Sequence, residues 1–551
     1  MDYWKELMHE KKKDSRFERP VGKIGYKKAI DAEAKSNQFG ETLAIEYSNY
    51  LVPDDEDGYK AVVQNAYVHS RKKEKHVDPI LKVIRKIRLP SVDEAERITS
   101  QDFSALSNKI SDFYRKDKPE NSLLLLIGNV GSGKSTFIRY LQNVTIPQHN
   151  DLKNRFYWCI INMNNAPITT EKIYTWVVDE YINKIISNFS DCDFNDRNFL
   201  DKIYYKEIDG FQKGIGSYLE GTNEYSIELF NLINKCKDDK ELSLQCLLNY
   251  VEITHHVSFI FVLDNVDQGT NENQLLLFQV AEWFRNKFKR LVMMSLRDTT
   301  YNTYRVTPPL DTVIKNLVFR IDPPDLLTVL NERLKYICRM TKQETSFKGN
   351  YAIENGMKVV LKENDYLGYF KCIIHSVRQD NLIKSVFYNI TGRDVRLGIE
   401  LFIEFCKSGH LLASDFFAMR ATDGQYVVPN YRMMEAVLRG TRLYYSSEKS
   451  KIKNVFSSDF ADDWVDPFIR IDILTWLNDR KDTLGDSGTK GYFAVEKLKK
   501  NMSLLGHAQK PFIRELTALI RDRLILSGNI DDVTDSNNII RITPFGTFHI
   551  C

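Results

Sequence analysis

Leu123-Leu124-Leu125-Leu126-Ile127-Gly128-Asn129-Val130-Gly131-Ser132-Gly133-Lys134-Ser135-Thr136 is the stretch that decides the fold. Five apolar residues without polar alternation read as a strand covered on both faces. Thr136-Phe137-Ile138-Arg139-Tyr140-Leu141 reads as the start of a helix. Between the two, residues 128–135 fit G-x-x-x-x-G-K-[ST] in full, in the strand–loop–helix context the motif requires. The glycines let backbone N–H groups turn inward around phosphates, and the helix N-terminus adds positive potential. The lysine reaches the β and γ phosphates, and the serine hydroxyl is a Mg²⁺ ligand. Gly128, Asn129, Val130, Gly131, Ser132, Gly133, Lys134, Ser135 and Thr136 are the candidate nucleotide-binding residues, with ATP and Mg²⁺ as the expected ligands.

Working outward, residues 156–161, 259–263 and 291–294 form further short apolar runs, each bounded and separated by helical stretches. That pattern predicts an α/β layer with a parallel sheet. Residues 169–257 are long for one crossover and mainly helical, clearest at 172–186 and 226–250, so a helical insertion is expected there. The run 259–263 ends in Asp264-Asn265-Val266-Asp267. Asp264 supplies the acid that a P-loop needs on a neighbouring strand, so Ser135 and Asp264 are the expected metal-site residues. Asn265 can orient a water but cannot take its proton. Either Asp267 acts as the base or hydrolysis is slow; the alternative for Asp267 is to cap the helix beginning near Asn271. The run 291–294 leads into Ser295-Leu296-Arg297-Asp298. Parallel strands deliver their C-terminal ends to one crevice, which makes Ser295 and Arg297 candidates for the γ-phosphate.

With this order of P-loop, Asp264 strand, Arg297 strand and a following helical region, the chain resembles the AAA+ and STAND branches of P-loop ATPases over roughly residues 98–410. The departure is Asn265, where AAA+ proteins usually carry glutamate. Thr391-Gly392-Arg393-Asp394-Val395-Arg396-Leu397-Gly398 resembles the sensor-2 segment of origin-recognition AAA+ initiators. That resemblance implies that Arg396 reaches from a lid to the γ-phosphate. Arg305 and Arg320 fall where such families place an arginine finger, although Arg320 also reads as a strand end. The same initiators carry a C-terminal winged helix, and this chain is similar: helices at 467–477, 492–502 and 511–523, a turn at 503–506, and strands at 524–526 and 539–543. The third helix would then be the candidate reader of the major groove. Lys510 and Arg514, with Lys497, Lys499 and Lys500, would face phosphates. Asp531, Asp532 and Asp535 in the wing loop would repel a DNA backbone and favour a protein contact instead.

The expected fold class is therefore α/β: a P-loop NTPase core with a parallel sheet and a helical insertion, then a helical lid and a C-terminal winged-helix domain. The expected division is an N-terminal region of unassigned role at 1–89, the core at 90–324, lid and linker at 325–460, and the winged helix at 461–551. With 551 residues and a net charge of +3, the chain gives no reason to treat the whole molecule as a nucleic-acid binder. The basic run 71–88 reads as a solvated helix face or, alternatively, as a phosphate-attracting patch. Eight scattered cysteines without a C-x-x-C spacing read as reduced thiols. The first residues lack the apolar core of a secretory signal and no run is long enough to span a membrane, so a cytoplasmic protein is expected. The expected function is that of an ATP-hydrolysing AAA+-like switch. Expected partners are further copies or another protein, and double-stranded DNA through the winged helix, in DNA maintenance or antiphage defence. The alternative is a STAND-like signalling ATPase whose terminal regions bind proteins. A small-molecule kinase is disfavoured, because the lid, the sensor-like arginines and the winged helix have no place in one.

Overall fold

The computed structural model describes residues 33–34, 38–87, 122–167, 169–266, 271–304, 308–310, 317–341, 349–352, 358–361, 363–411, 415, 418, 421–422, 426–456, 466–485, 490–527, 533 and 538–550. The chain forms two compact units, residues 69–322 and residues 1–68 with 323–551. Asp267, Arg305, Asp531, Asp532 and Asp535 lie outside the described residues.

The 69–322 unit is built on five parallel strands: β1 (Leu123–Ile127), β2 (Phe156–Asn162), β3 (Ser258–Asp264), β4 (Leu291–Leu296) and β5 (Val318–Arg320). Their order is β2-β3-β4-β1-β5. The unbroken apolar runs follow from burial on both faces. Leu123, Leu125 and Ile127 enter one apolar cluster with Ile173, Val177, Leu247 and Phe284. Leu124 and Leu126 point the other way, into a second cluster with Phe137 and Ile138. Between β2 and β3 the chain makes the helices Thr170–Asn188, Arg197–Ile203, Tyr205–Lys213, Asn223–Asp238 and Lys240–His255, which are the expected helical insertion.

The helix Arg71–Arg85 falls in this unit, and the solvated-face reading of the basic run holds for Lys75, Lys82, Arg85 and Lys86 but not for Lys73. Ile80, Leu81 and Ile84 are fully buried in the second cluster, so one face of the helix closes the sheet. Lys75, Lys82, Arg85 and Lys86 stay exposed, but Lys73 is only 3% exposed.

In the other unit, the helices Gln38–Glu46, Ser48–Leu51 and Glu56–Asn65 precede the helices Leu326–Thr341, Glu363–Gln379, Asn381–Thr391, Val395–Lys407 and Asn430–Arg439. An antiparallel pair, β6 (Gly349–Ala352) with β7 (Lys358–Leu361), lies within the stretch 325–460 expected to be a helical lid and linker. The C-terminal part has the helices Ile469–Asp479, Val495–Leu504 and Gln509–Arg521 and an antiparallel sheet of β8 (Phe493–Ala494), β9 (Ile525–Ser527) and β10 (Ile539–Ile542), in the order β8-β10-β9. The two-residue β8 and the closing helix Pro544–Phe548 leave no periodic signal in the sequence. One apolar cluster joins Leu51, Leu330, Phe387, Phe402, Leu474 and Leu516. Among the described residues, no helix is long and apolar enough to cross a membrane.

Candidate nucleotide-binding site

β1 lies between β4 and β5, and its C-terminal end opens into the phosphate loop. The Gly128 N–H donates to the Leu296 carbonyl at 3.2 Å. A Cβ on Gly128 would fall 2.7 Å from the Ile321 carbonyl oxygen and 2.8 Å from Ser132 Oγ, so only glycine lets the loop pass this close to the chain leaving β5. Gly131 and Gly133 have φ of 73° and 85°, the left-handed backbone that costs glycine least. These two reversals lead the loop into the helix that starts at Lys134, whose N-cap residue Gly133 offers no capping side chain. No side chain caps the first N–H groups of that helix, and a helix start without a capping side chain is an arrangement that can receive an anion.

Lys134 is 5% exposed. Its ammonium donates to the carbonyls of Gly128 and Asn129, each at 2.8 Å, which folds the side chain over the loop. Ser135 Oγ donates to Asp264 Oδ1 at 2.8 Å, joining the loop to the end of β3. Asp264 is buried and also accepts the Asn265 N–H at 3.0 Å. Its second oxygen is taken by Arg139 Nη1, in an ion pair whose two side chains are both almost completely buried. Arg139 was not among the residues singled out in the sequence. It sits five positions after Lys134 on the loop's own helix, and its partner is 125 positions away. A serine hydroxyl and a carboxylate meeting at this point fit a hard divalent cation. Arg139 neutralises part of the charge that such a cation would use.

Asn265 has φ 61°, a left-handed conformation that asparagine tolerates better than most residues. Its side-chain amide donates to Asn162 Oδ1 at 3.0 Å, which places the ends of β2 and β3 side by side. Ser295 is paired with Leu126 of β1; its Oγ is buried and has no hydrogen-bond partner among the described residues. Arg297 is half-buried where β4 gives way to the next helix, and its N–H donates to the Oε1 of the buried Gln274 at 3.2 Å. Arg320 ends β5 and pairs with Asp298 at 2.6 Å. Gly128, Lys134, Ser135, Asp264, Asn265 and Ser295 are thus gathered at the C-terminal edge of one sheet. Arg396 belongs to the other unit, exposed in the first turn of Val395–Lys407, where Asp394 caps the helix by accepting the Leu397 N–H at 3.0 Å.

The core has the P-loop NTPase fold. No protein-family model and no curated protein sequence matches the chain. Among solved structures it is similar to Cdc6p from Pyrobaculum aerophilum, at 12% identity over 84% of this chain and 95% of that one, with a TM-score of 0.28. It is also similar to the Aeropyrum pernix Orc2 protein in its ADP form, at 13% identity over 84% and 93%, with a TM-score of 0.33. A third is Drosophila ORC bound to DNA, at 12% identity over 88% and 95%, with a TM-score of 0.23.

Proposed function

We propose that the chain binds and hydrolyses ATP, and that it works as an AAA+-like switch acting on DNA. The observation that carries the nucleotide reading is the 2.8 Å bond from Ser135 to Asp264, which completes a phosphate loop with the acid a metal–nucleotide complex needs. On this reading Lys134 leaves the Gly128 and Asn129 carbonyls for the β and γ phosphates, and backbone N–H groups of 131–135 hold the β-phosphate. Mg²⁺, held by Ser135 and through water by Asp264, would neutralise charge on the phosphates. Ser295 donates its hydroxyl toward the γ-phosphate, Asn265 orients a water, and Asp267 is the base. Arg297 and Arg396 are assigned to charge stabilisation, with Arg396 acting from a lid. The C-terminal helices and three-stranded sheet are read as a winged helix, with Gln509–Arg521 as its groove-facing helix.

A second reading, a signalling switch whose C-terminal part binds protein, draws on Leu504 and Leu505. They stand 79% and 63% exposed at the turn between the second and third C-terminal helices. Arg514, expected to face phosphates, also ion-pairs with the buried Glu515 at 2.7 Å, which lowers its availability to DNA.

Calorimetric titration of the purified chain with ATP and Mg²⁺, followed by turnover measurements with and without duplex DNA, tests the proposal. Micromolar ATP binding with turnover altered by duplex is the expected result. Absence of ATP binding would sink the nucleotide reading, and turnover indifferent to duplex would leave the protein-binding switch.

A further inference from the structure

We propose that Lys73 is a second phosphate-binding lysine of this site, contributed by a helix that lies outside the P-loop motif. The inference rests on the nucleotide reading above and adds a residue to it. Lys73 precedes Lys134 by 61 positions and is the third residue of Arg71–Arg85. Its Nζ lies 3.2 Å from where a Cβ on Gly133 would stand, so the missing side chain at Gly133 is what leaves the ammonium room against the phosphate loop. Gly133 is also the residue from which the loop's helix starts, beside the N–H groups that would hold a phosphate.

The helix that carries Lys73 is fixed at several points within the same unit. His69, just before it, packs edge-on against Tyr140 at the far end of the loop's helix, with ring centroids 5.5 Å apart. His76 packs against Phe319 of β5 at 5.7 Å, and Ile80, Leu81 and Ile84 enter the core beneath the sheet. A lysine on so fixed a support delivers its charge to one place, the condition under which a point charge helps bind phosphate without a large ordering cost. With Lys134 held on the Gly128 and Asn129 carbonyls and Lys73 beside Gly133, two ammonium groups are anchored on one phosphate loop. A polyphosphate carrying three or four negative charges is the ligand chemistry that uses both.

The test is calorimetry on the full chain with ATP, inorganic tripolyphosphate and, by competition, adenosine, for the wild type and for Lys134→Ala, Lys73→Met, Lys73→Gln and Lys73→Arg. Lys73→Met and Lys73→Gln are expected to lose about tenfold in affinity for ATP and for tripolyphosphate, the usual weight of one hydrogen bond to a charged group. Adenosine affinity should be unchanged, and Lys73→Arg should keep most of the ATP affinity. Having two shortened variants guards against one that fails to fold, and melting temperatures check each. An equal loss for adenosine and ATP, or no loss in a folded variant while Lys134→Ala still loses ATP, would overturn the role of Lys73 alone. A wild type that binds neither ATP nor tripolyphosphate would overturn the nucleotide reading and this inference with it.

Discussion

The five-stranded parallel sheet and the three-stranded C-terminal sheet bury their residues in opposite ways. β1 reads LLLLI with every residue buried, and β3 reads SFIFVLD with every residue buried. β9 alternates, with Ile525 and Ser527 inside and Leu526 out, and β10 does the same around Arg541. A sheet covered on both faces has only its strand ends left for chemistry. In a parallel sheet those ends share one edge, which is why Asn162 pairs with Asp264, and why Asp264 and Ser295 each follow the β3–β4 pair Leu263 and Met294. An antiparallel sheet with one open face has no such edge. Its contribution is a surface, and its function depends on which charges that surface leaves unpaired.

The largest expected effect breaks the first sheet's chemistry without touching the second. In Lys134→Ala the ammonium held by Gly128 and Asn129 is gone, and ATP affinity should fall by about a thousandfold, within the range for deleting one partner of a buried charge pair. Melting temperature and any affinity for duplex should stay at wild-type values. A shared loss of all three would mean that Lys134 is a structural residue.

Glu515→Ala reverses the experiment. Glu515 is buried and holds Arg470 at 2.5 Å on one oxygen and Arg514 on the other. Removing it strands Arg470 with little access to water, at a cost of about 3 kcal/mol. Urea unfolding should show this loss while ATP affinity is unaltered. An unaltered unfolding curve would mean that water compensates Arg470.

How much of this was legible follows from range in sequence. β1 to β4, the phosphate loop, Asp264 and the helix from Asn271 each announce themselves within a dozen residues, because strand burial and loop geometry are local. Arg139 does not: its helix was plain, but the buried acid it meets is on β3, and no spacing rule connects the two. Lys73 was hidden for the same reason. The apolar stripe Ile80, Leu81 and Ile84 shows that the helix must cover something, without showing that the something is the face beneath the phosphate loop. β5 is three residues long, too short to register as a run, so the sequence leaves Arg320 between an arginine-finger candidate and a strand end.

The third expected effect sharpens the role of the strand-end edge. Asp267→Asn should slow ATP turnover by about a hundredfold, the usual weight of a general base, while ATP still binds. Asn265→Ala should cost less, because the Asn265 amide is already engaged by Asn162 and serves to orient rather than to accept. Single-turnover rates and ATP affinities for the two variants separate the roles. Wild-type turnover with a lowered melting temperature in Asp267→Asn would assign that residue to capping the helix Asn271–Phe288.

The smallest expected effect concerns the helix Gln509–Arg521 of the C-terminal part, and the structure changes its size. If both Lys510 and Arg514 touched phosphates, replacing them together would lower the slope of log K against log salt by nearly two, since each phosphate contact releases about 0.9 of a counterion. Arg514 donates both Nε and Nη2 to Glu515, whose carboxylate is buried and shared with Arg470, so its charge is largely answered inside the protein. Lys510 is exposed at the start of the same helix. The double variant should therefore change the slope by about one, with a fall in duplex affinity of only severalfold at moderate salt, and Lys510→Ala alone should reproduce nearly all of it. Titrations of labelled duplex at four salt concentrations decide the matter. A slope change near two would mean that DNA draws Arg514 away from Glu515. No change in either variant would leave the exposed Leu504 and Leu505 turn as the working surface of this module and a protein as what it meets.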